Sequence, residues 1–430
     1  MNNEKMNNDQ KIAVIGSGIS GLAISYLLKA NGFRVKLFEK NDYFGGHSNT
    51  VEISCEGATF PVDTGFLVHN KKTYPNLIQF LDLLKVKTVE SDMSLSIQLK
   101  DQDLEWAGNN LGTIYPSLKN LLSFDFNKMI FEIFHFNKNS PEYLKECEEK
   151  PNLTLEQFLN EKGYSDKLRD WYLLPMTAAI WSSPPREVLK FPAITFFRFC
   201  LNHCLLQISD RPIWRTILGG ARKYVEKIVD YISDAELNID ITSIDKVDKR
   251  YRLNFNNKSE FYDVIVLSSP ANKSVDLIRN LNLPSEKVLR RFKFQKNVAV
   301  LHKDIHLLPK NQKLWSSWNY TSTEEDSQVS VTYFLNKLQP LPVKTPIMVT
   351  LNPHQKIKEE DIFKVIDYAH PLYDLDMINA QKELESYQGS EGIFYCGAWL
   401  GYGFHEDGLK SALRVARNMG LKIPWEAFYE

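Results

Sequence analysis

Residues 12–39 constrain the fold of this chain more than any other stretch. An uncharged, mostly β-branched run at residues 12–15 is typical of a strand buried on both faces of a sheet. An apolar run then extends to Ala30, and a second strand-like run ends on Glu39. This order of strand, tight turn, helix, strand and acid is typical of a dinucleotide-binding βαβ unit. The turn between the first strand and the helix consists of Gly16, Ser17, Gly18, Ile19, Ser20 and Gly21.

Each glycine of this turn has its own expected task. Gly16 permits the sharp turn, Gly18 lets the backbone approach a pyrophosphate, and Gly21 lets the helix pack close to the strand. The helix N-terminus then presents free N–H groups to the phosphates, and Glu39 is placed to bond a ribose 2′-hydroxyl. The alternative is a glycine-rich turn that binds nothing. The complete strand–helix–strand context favours nucleotide binding.

Composition and charge exclude several classes of function. The chain has 430 residues and a formal net charge of −1, so no global field attracts it to nucleic acid or anionic lipid. Its five cysteines lack the spacing of zinc ligands, so we expect no metal site and a reducing cytoplasm. No signal peptide precedes the first predicted strand, and residues 1–10 are expected to form a frayed polar tail. No run approaches the ~18 apolar residues of a membrane span, and the length predicts two or more domains.

Two more glycine-containing segments follow the βαβ unit. Residues 51–53 and 59–62 alternate between apolar and polar side chains, which predicts short strands. A plain nicotinamide dehydrogenase would normally continue into further βα units instead. The residues of interest here are Lys40, then Gly45, Gly46, His47 and Ser48, and finally Thr64, Gly65 and Phe66.

The end of the chain carries a second strong signal. Residues 393–397 predict a buried strand that closes on Gly397, residues 398–408 predict a loop, and residues 409–419 predict a helix. The first predicted helical positions are occupied by Leu409 and Ser411, directly after Gly408. A helix N-terminus at this place would direct partial positive charge toward a bound group.

Together, the segments at 12–75 and 393–415 resemble the FAD-binding domain of the amine oxidase and phytoene desaturase superfamily. The resemblance implies an α/β fold, in which a Rossmann-like FAD-binding domain of the glutathione reductase-like type is interleaved with a substrate domain of mixed sheet and helices. It implies FAD as the cofactor. The implied FAD-binding domain comprises residues 1–75, 211–284 and 386–430, and the implied substrate domain comprises residues 76–210 and 285–385.

The motif and the resemblance together assign a set of residues to the cofactor. The resemblance adds a backbone strand beside the adenine at Ile241, within residues 239–244. It also implies that the C-terminal helix faces the flavin pyrimidine, where partial positive charge would stabilise the reduced ring. The assigned residues are Gly16, Ser17, Gly18, Ile19, Ser20, Gly21, Glu39, Lys40, Gly45, Gly46, His47, Ser48, Thr64, Gly65, Phe66, Ile241, Gly397, Gly408, Leu409 and Ser411.

A narrower resemblance concerns residues 45–48, 62–68, 175–181 and 397–408. These segments are similar to bacterial flavoproteins that accompany the synthesis of cyclopropane or methyl-branched fatty acids. That resemblance implies a long-chain acyl substrate, and a fatty-acid methyltransferase as a partner.

Two positions depart from the patterns of the wider family. His47 stands where many relatives have arginine after the glycine pair, and it either contacts the flavin or a phosphate or is a smaller polar filler. Asn297 stands in the strand where amine oxidases often hold a lysine that bridges through water to the flavin, although Lys296 is adjacent. Loss of that lysine argues against oxidation of an amine.

The candidate catalytic residues are His405, Trp399, Glu406 and His47. His405 or Glu406 would act as a base for the proton that leaves with a hydride, and the alternative is a loop-stabilising hydrogen bond. Trp399 and Tyr402 are candidates for the binding of an amine, or they form an apolar wall. Cys396 does not match the covalent flavin linkage of monoamine oxidases and is expected to be a buried strand residue.

The apolar segment at residues 115–136 has two interpretations. It is either a core helix of the substrate domain, which we favour because basic residues are few, or a helix that enters the bilayer surface. In the second case Phe124, Phe126 and Phe131 are the expected anchors. Further expected elements are a solvated loop at residues 145–150 and a helix at residues 154–162 with Thr154 as its cap.

The sequence therefore predicts an FAD-dependent oxidoreductase that desaturates or isomerises a long, methylated or unsaturated fatty acyl chain, including one still esterified in a phospholipid. The alternatives are a flavin amine oxidase and a non-catalytic flavin- or lipid-binding accessory protein of a lipid methyltransferase. We expect a cytoplasmic protein without a nucleic-acid partner that touches the inner membrane peripherally.

Overall fold

A parallel sheet of five strands carries the βαβ unit in the computed structural model, which describes residues 8–181, 185–207, 210–322 and 330–429. Most of the expected N-terminal tail lies outside these residues. The strands are β1 Lys11–Ile15, β2 Arg34–Phe38, β3 Thr50–Cys55, β4 Ala58–Asp63, β5 His69–Asn70, β6 Thr88–Glu90, β7 Leu95–Leu99, β8 Leu104–Ala107, β9 Trp214–Ile217, β10 Ala235–Glu236, β11 Ile241–Val247, β12 Arg250–Phe255, β13 Lys258–Tyr262, β14 Val264–Leu267, β15 Phe294–His302, β16 Trp318–Thr321, β17 Ser330–Phe334, β18 Met348–Leu351, β19 Ile362–Pro371 and β20 Ile393–Tyr395.

Helices surround the sheets and fill the second half of the molecule. None of the helices in the described ranges is long and apolar enough to cross a membrane. The helices are α1 Ile19–Ala30, α2 Pro75–Leu83, α3 Leu111–Ile114, α4 Leu118–Leu122, α5 Phe124–Glu149, α6 Leu155–Glu161, α7 Asp166–Leu168, α8 Leu174–Trp181, α9 Pro185–Leu189, α10 Ala193–Asn202, α11 Arg222–Ile232, α12 Ala271–Ile278, α13 Ser285–Leu289, α14 Leu335–Leu338, α15 Leu375–Glu385 and α16 His405–Asn418.

The parallel sheet has the strand order β10-β2-β1-β14-β20. Ile12 and Val14 of β1 pack toward the cluster formed with α1, α11 and α16, whereas Ala13 and Ile15 belong to the cluster on the other face. Both faces of the central strand are therefore covered, as the uncharged run at residues 12–15 predicts.

A second sheet of seven strands has the order β19-β15-β18-β17-β16-β7-β8. Its pairs are antiparallel except for β16 with β7, which run parallel. Beside it, α5, α6 and α10 meet in an aromatic cluster, where Phe197 lies 5.4 Å from Phe136 and 4.9 Å from Phe158 between ring centroids. The strands of the two sheets alternate along the chain. The predicted α/β fold is confirmed, and the boundaries of its two domains stay predictions.

Two predicted elements are wrong in their bounds. The charged residues 145–150 were expected to form a loop, but α5 continues to Glu149 because Tyr143 and Cys147 pack inward one turn apart. This packing overrides the charge pattern. The C-terminal helix was expected to begin at Leu409 but begins at His405, where the Asp407 carboxylate accepts a hydrogen bond from the N–H of Phe404 (3.0 Å).

Other expected elements are confirmed. Helix α6 begins after Thr154, whose hydroxyl accepts from the Gln157 N–H at 3.2 Å while the Gln157 side chain accepts from the Thr154 N–H at 3.0 Å. This reciprocal pair is a capping box. The strands predicted at residues 51–53 and 59–62 form the β3–β4 hairpin.

Candidate cofactor and active site

The glycine-rich turn between β1 and α1 combines two tightly packed glycines with one that faces open space. Gly16 has a φ of +103°, and a side chain on Gly21 would come within 1.9 Å of the Gly16 carbonyl oxygen. Gly18 differs, because a Cβ atom there would meet nothing within 4 Å. Protein packing thus requires Gly16 and Gly21, whereas the space beside Gly18 is available to a ligand at the N-terminus of α1.

Glu39 lies at the end of β2, directly against this turn. Its carboxylate accepts hydrogen bonds from the N–H of Ser17 and the N–H of Asn41, both at 2.9 Å, and the residue is 6% exposed. The backbone N–H of Ile239 donates to the Glu39 carbonyl at 2.9 Å, so the segment that leads into Ile241 runs beside the acid. This places Glu39 and the start of β11 where the motif requires the ribose and adenine.

Lys40 has a different environment from its neighbour. Its ammonium lies 3.1 Å from Asp240, and both side chains are largely exposed. Any contribution of Lys40 to a cofactor would therefore come from its backbone or from a rearranged side chain.

The second glycine pair lies against the first turn. The N–H of Gly45 donates to the Ser17 hydroxyl at 3.1 Å, and a Cβ on Gly46 would stand 3.3 Å from the Gly18 Cα. Both glycines have positive φ, at +114° and +58°. The two glycine segments predicted separately from sequence form one surface of bare backbone, which fits the close approach of a dinucleotide.

The N-terminus of α16 meets the N-terminus of α1 at this surface. A side chain on Gly408 would approach Ile19 to 2.7 Å, so glycine is required where the two first turns touch. The Ser411 hydroxyl accepts from the Gly397 N–H at 2.9 Å, which ties the end of β20 to α16, and Leu409 is fully buried. Two helix N-termini, each with partial positive charge, therefore lie side by side.

Three segments that are distant in sequence meet next to this surface. The Phe66 N–H donates to the His47 carbonyl at 2.8 Å, and Gly65 lies so close that a Cβ would stand 2.3 Å from the same oxygen. The Phe66 ring stacks on His405 with 3.6 Å between centroids, and Ser48 shares a 2.8 Å hydrogen bond with His405 Nε2. The segments predicted at residues 47–48 and 64–66 are thus joined to the first turn of α16.

Tyr368 connects this junction to the seven-stranded sheet. Its hydroxyl lies 2.9 Å from the Thr64 hydroxyl, and its ring stacks on His47 with 4.7 Å between centroids. On the same face of β19, two residues along, His370 lies 5.3 Å from His47. Sequence reasoning missed both side chains, because only the register of β19 places them here.

The histidines of the site are accessible but surrounded by protein. His47 is exposed and His370 and His405 are partly exposed. Burial nevertheless lowers the pKa of His47 to about 4 and that of His370 to about 3, and it holds the pKa of His405 well below its usual range. We define the candidate substrate space as the region that these three imidazoles border beside the glycine surface. Within the described residues, no group of three or more His, Cys, Asp or Glu side chains is arranged to hold a metal ion.

A chain of hydrogen bonds fixes the tautomer of His370. The Val298 N–H donates to Asn352 Oδ1 at 2.9 Å, so the Asn352 amide nitrogen donates to Asn297 Oδ1 at 2.8 Å. The amide nitrogen of Asn297 is then left to donate to His370 Nδ1 at 3.0 Å. A neutral imidazole that accepts at Nδ1 carries its proton on Nε2.

Strand alternation settles which residue of β15 points toward the site. Asn297 is 1% exposed and contacts His370, whereas Lys296 is exposed on the other side of the strand. Asn297, not Lys296, therefore stands where the resemblance places the lysine of amine oxidases.

Glu406 and Trp399 do not face this space. The two Glu406 oxygens accept from the N–H groups of Asn76 and Leu77 at 3.0 Å, which are free N–H groups at the start of α2. The Trp399 indole is 5% exposed, donates to the Ser269 carbonyl at 3.2 Å and packs edge-on against Phe292. Both residues therefore make structural hydrogen bonds, and the catalytic role expected for them from sequence stays a prediction.

Asp63 is a buried acid that the sequence did not single out for a role. Its carboxylate accepts from the Ala221 N–H at 2.9 Å, from Thr50, and from the Gln339 amide at 2.8 Å. Burial raises the pKa of Asp63 to about 6, against the effect of these bonds. Asp63 joins β3, β4 and the start of α11 behind the site.

Known proteins are similar to this chain in the dinucleotide-binding unit and in the fold. Residues 14–84 match the family model of NAD(P)-binding Rossmann-like domains. A stretch of 44 residues, 10% of this chain and 9% of the relative, is 50% identical to a 1-hydroxycarotenoid 3,4-desaturase of Flavobacterium sp. (strain P99-3). The chain matches curated relatives over only 9 to 30% of their length.

Two solved structures share the fold over nearly the whole chain. Cyclohexylamine oxidase from Brevibacterium oxydans IH-35A has a TM-score of 0.69 at 15% identity, covering 96% of this chain and 99% of that one. A fatty acid isomerase of P. acnes that produces CLA has a TM-score of 0.66 at 16% identity, with the same coverages of 96% and 99%. The dinucleotide-binding unit predicted from the glycine-rich turn is confirmed, and the site residues around it stay predictions as to function.

Proposed function

We propose that this chain, which has the fold and the dinucleotide-binding unit of the FAD-dependent amine oxidase type, acts on a long apolar hydrocarbon chain. It removes hydrogen from that chain or shifts a double bond within it. The observation that carries the proposal is the group of aromatic rings and imidazoles that contact one another beside the glycine surface: Phe66, Tyr368, His47, His370 and His405.

The described residues fit FAD. Glu39 stands at the ribose position, Gly18 and Gly46 form bare backbone at the pyrophosphate position, and the first turn of α16 supplies a second helix N-terminus. FAD, when bound, supplies the ability to accept a hydride. Cys396 is fully buried and burial raises the pKa of its thiol, so we propose that the cofactor is held without a covalent bond.

The carboxylates near the site already accept hydrogen bonds from backbone N–H groups. Asp63 accepts from Ala221, Glu406 accepts from Asn76 and Leu77, and Asp407 accepts from the Phe404 N–H. A substrate ammonium entering this space would lose its water without gaining a free carboxylate from these three acids, which is unfavourable. An alkyl or alkenyl chain has no such cost, and each buried methylene contributes about 0.8 kcal/mol.

The histidines of the site are oriented by hydrogen bonds and carry no charge. The hydrogen-bond chain from Val298 through Asn297 keeps His370 Nδ1 as an acceptor, so the ring presents an Nε2–H donor. His405 shares hydrogen bonds with Ser48 at 2.8 Å and with Tyr224 at 3.3 Å. A low pKa makes these rings poor proton acceptors, and we propose that they form polar but uncharged walls that exclude water.

The names of similar proteins support the substrate class. One similar protein is named as a fatty acid isomerase and another as a 1-hydroxycarotenoid 3,4-desaturase. The narrower resemblance to flavoproteins of cyclopropane and methyl-branched lipid metabolism, and a lipid methyltransferase partner, stay predictions.

A second candidate is oxidation of an amine. It is favoured by the likeness to cyclohexylamine oxidase, with a TM-score of 0.69. Two observations argue against it: Asn297 replaces the expected lysine, and the nearby carboxylates already accept hydrogen bonds from backbone N–H groups.

An anaerobic bleaching experiment separates these functions. The FAD-loaded protein is mixed without oxygen with linoleic acid, with phospholipid vesicles that contain unsaturated or methyl-branched chains, and with cyclohexylamine or putrescine. We expect an unsaturated or branched lipid to change the flavin spectrum while the saturated straight-chain analogue, as the matched control, does not. For an isomerase, which returns the hydride, the double-bond positions are compared by mass spectrometry. Rapid bleaching by an amine alone would establish the second candidate, and no reaction with either class would favour the accessory protein.

A further inference from the structure

An apolar surface is formed by exposed side chains of three consecutive helices. Its members are large side chains on α3, α4 and α5 that are 49 to 80% exposed. Elsewhere in the described residues, only Ile213 and Val365 are large apolar side chains with more than half of their surface exposed, at 65% and 55%. We call these seven residues the α3–α5 apolar surface: Leu111, Leu118, Leu121, Leu122, Phe124, Phe131 and Phe134.

These residues occupy the outer faces of well-formed helices. In α4, the spacing of Leu118, Leu121 and Leu122 places all three on one side. In α5, Phe126 and Met129 are fully buried in the core, whereas Phe124 and Phe131, seven residues apart, are 79% and 71% exposed. Helix α5 is therefore apolar on two faces near its start, and only one of them is covered by this chain.

We infer that the α3–α5 apolar surface inserts into the interfacial layer of a lipid bilayer. The structure thus supports both interpretations of residues 115–136, one for each face of α5. It also changes the set of anchors, since Phe126 is buried and cannot be one, while leucines of α3 and α4 join Phe124 and Phe131. The inference does not depend on the proposed reaction.

The chemistry of the surface fits lipid better than a protein partner. It consists of leucine and phenylalanine alone, whereas the energetically dominant residues of protein interfaces are enriched in Trp, Tyr and Arg and poor in Leu. Its most exposed members, Leu122 at 80% and Phe124 at 79%, stand away from the protein. A fluid bilayer adapts to such protruding side chains, whereas a protein partner would need pockets that match each of them.

The charges around the surface predict which lipids it accepts. Lys119 is paired with Asp103 at 3.1 Å, and Lys128 lies 3.9 Å from Glu132. Because acids balance both lysines, Lys119 and Lys128 add no net positive charge beside the apolar residues. Binding should therefore depend on apolar insertion and change little with anionic lipid content or salt.

The surface belongs to the same packed unit as the candidate active site. Phe136 of α5 lies 5.4 Å from Phe197 of α10, and Phe199 of α10 stacks at 5.0 Å on Phe404, the residue before His405. Insertion of α4 and α5 would hold this unit against the membrane, where water-insoluble chains reside.

Vesicle flotation with the FAD-loaded full chain tests the inference. We expect the protein to float with phosphatidylcholine vesicles and to bind equally, within twofold, when one third of the lipid is phosphatidylglycerol or when salt is raised. The variant Leu118→Ser, Leu122→Ser, Phe124→Ser should lose at least tenfold in the partition coefficient, and Phe131→Ser alone should lose less. All four positions are largely exposed, so these variants keep the core intact.

The matched control replaces exposed apolar residues elsewhere. The variant Ile213→Ser, Val365→Ser removes side chains that are 65% and 55% exposed and should float as the wild type does. Three results would overturn the inference: no flotation of the wild type, flotation only with anionic vesicles, or equal loss in the control variant. A wild-type dimer by light scattering that the triple variant converts to monomer, without flotation of either, would assign the surface to a second copy of this chain.

Discussion

Replacing Glu406 tests whether this acid is a structural anchor or a catalytic base. Its two oxygens accept from the N–H groups of Asn76 and Leu77 at 3.0 Å and from the Asn76 side-chain amide at 2.7 Å. These are the second and third residues of α2, whose first residue, Pro75, has no N–H, and Tyr74 provides no side-chain cap. Glu406 thus caps α2 from a position 330 residues away in the chain.

The expected loss in the free energy of unfolding follows from the hydrogen bonds that the substitution removes. Glu406→Ala leaves two helix N–H groups unpaired in a site where the acid is 3% exposed, and the Asn76 amide keeps only its 2.7 Å hydrogen bond to the Phe428 carbonyl. A buried unsatisfied polar group costs ~1–3 kcal/mol, so we expect Glu406→Ala to lower the free energy of unfolding by about 4 kcal/mol. Glu406→Gln keeps one acceptor oxygen but turns an NH₂ group toward a donor, and should cost about 2 kcal/mol.

Urea unfolding and anaerobic flavin reduction together give the answer. Glu406→Gln should be less stable by the stated amount, while each FAD that remains bound is reduced by lipid substrate within threefold of the wild-type rate. Glu360→Gln, at an exposed acid, is the control and should change stability by no more than about 0.5 kcal/mol. A Glu406→Gln variant with wild-type stability and reduction slowed a hundredfold would refute the structural role and establish Glu406 as the base.

Three further predictions concern the cofactor and the response to pH. Gly18→Val should abolish FAD binding and leave the fold intact, because a side chain there meets only open space, and Gly108→Val, equally uncrowded, should bind FAD normally. Retention of one FAD per chain by Gly18→Val would contradict the assignment of the turn. Acid precipitation of the wild type should release all flavin, and flavin left on the precipitate would contradict the non-covalent assignment. His302 is fully buried, accepts from the Asp304 N–H at 3.1 Å and has its pKa lowered by burial to about 4. Its neutral form therefore contributes stability that is complete above the unfolded pKa of about 6.5 and is lost as pH falls toward 4, by at most ~3.4 kcal/mol. Urea unfolding between pH 7 and 4 should show a smaller loss for His302→Asn, and parallel curves for the two proteins would refute this.

Local sequence patterns were enough to predict the cofactor surface. The strand, the turn and the helix of the βαβ unit lie within residues 11–30, and each is determined by its own residues. The close packing of Gly21 on Gly16 follows from the spacing of the turn, and the structure confirms it. The second glycine pair and the C-terminal glycine were also visible, since glycine at a predicted turn marks a backbone that needs space.

Residues whose role depends on strand register or tertiary packing could not be predicted. Tyr368 and His370 enter the site only because β19 pairs with β15 in one particular register. Glu406 looked like a base because it follows His405, but one residue along a helix turns the side chain by about 100°, toward α2. The sequence also could not show which face of α5 is exposed, because a helix that is apolar on two faces does not reveal which one the protein covers.

The contact between the first turns of α1 and α16 has a consequence for biosynthesis. Ser20 and Ser411 approach to 3.5 Å across 391 residues of chain. At translation rates of 5–20 residues per second, about 20 to 80 s separate the synthesis of these two turns. Throughout that interval the glycine turn exists without the helix that completes its binding surface. The neighbouring strand β14 is still unsynthesised for more than the first half of the interval, and β20 for nearly all of it. FAD therefore meets a complete site only after the ribosome has synthesised α16, and cofactor loading follows that step instead of guiding the folding of the βαβ unit.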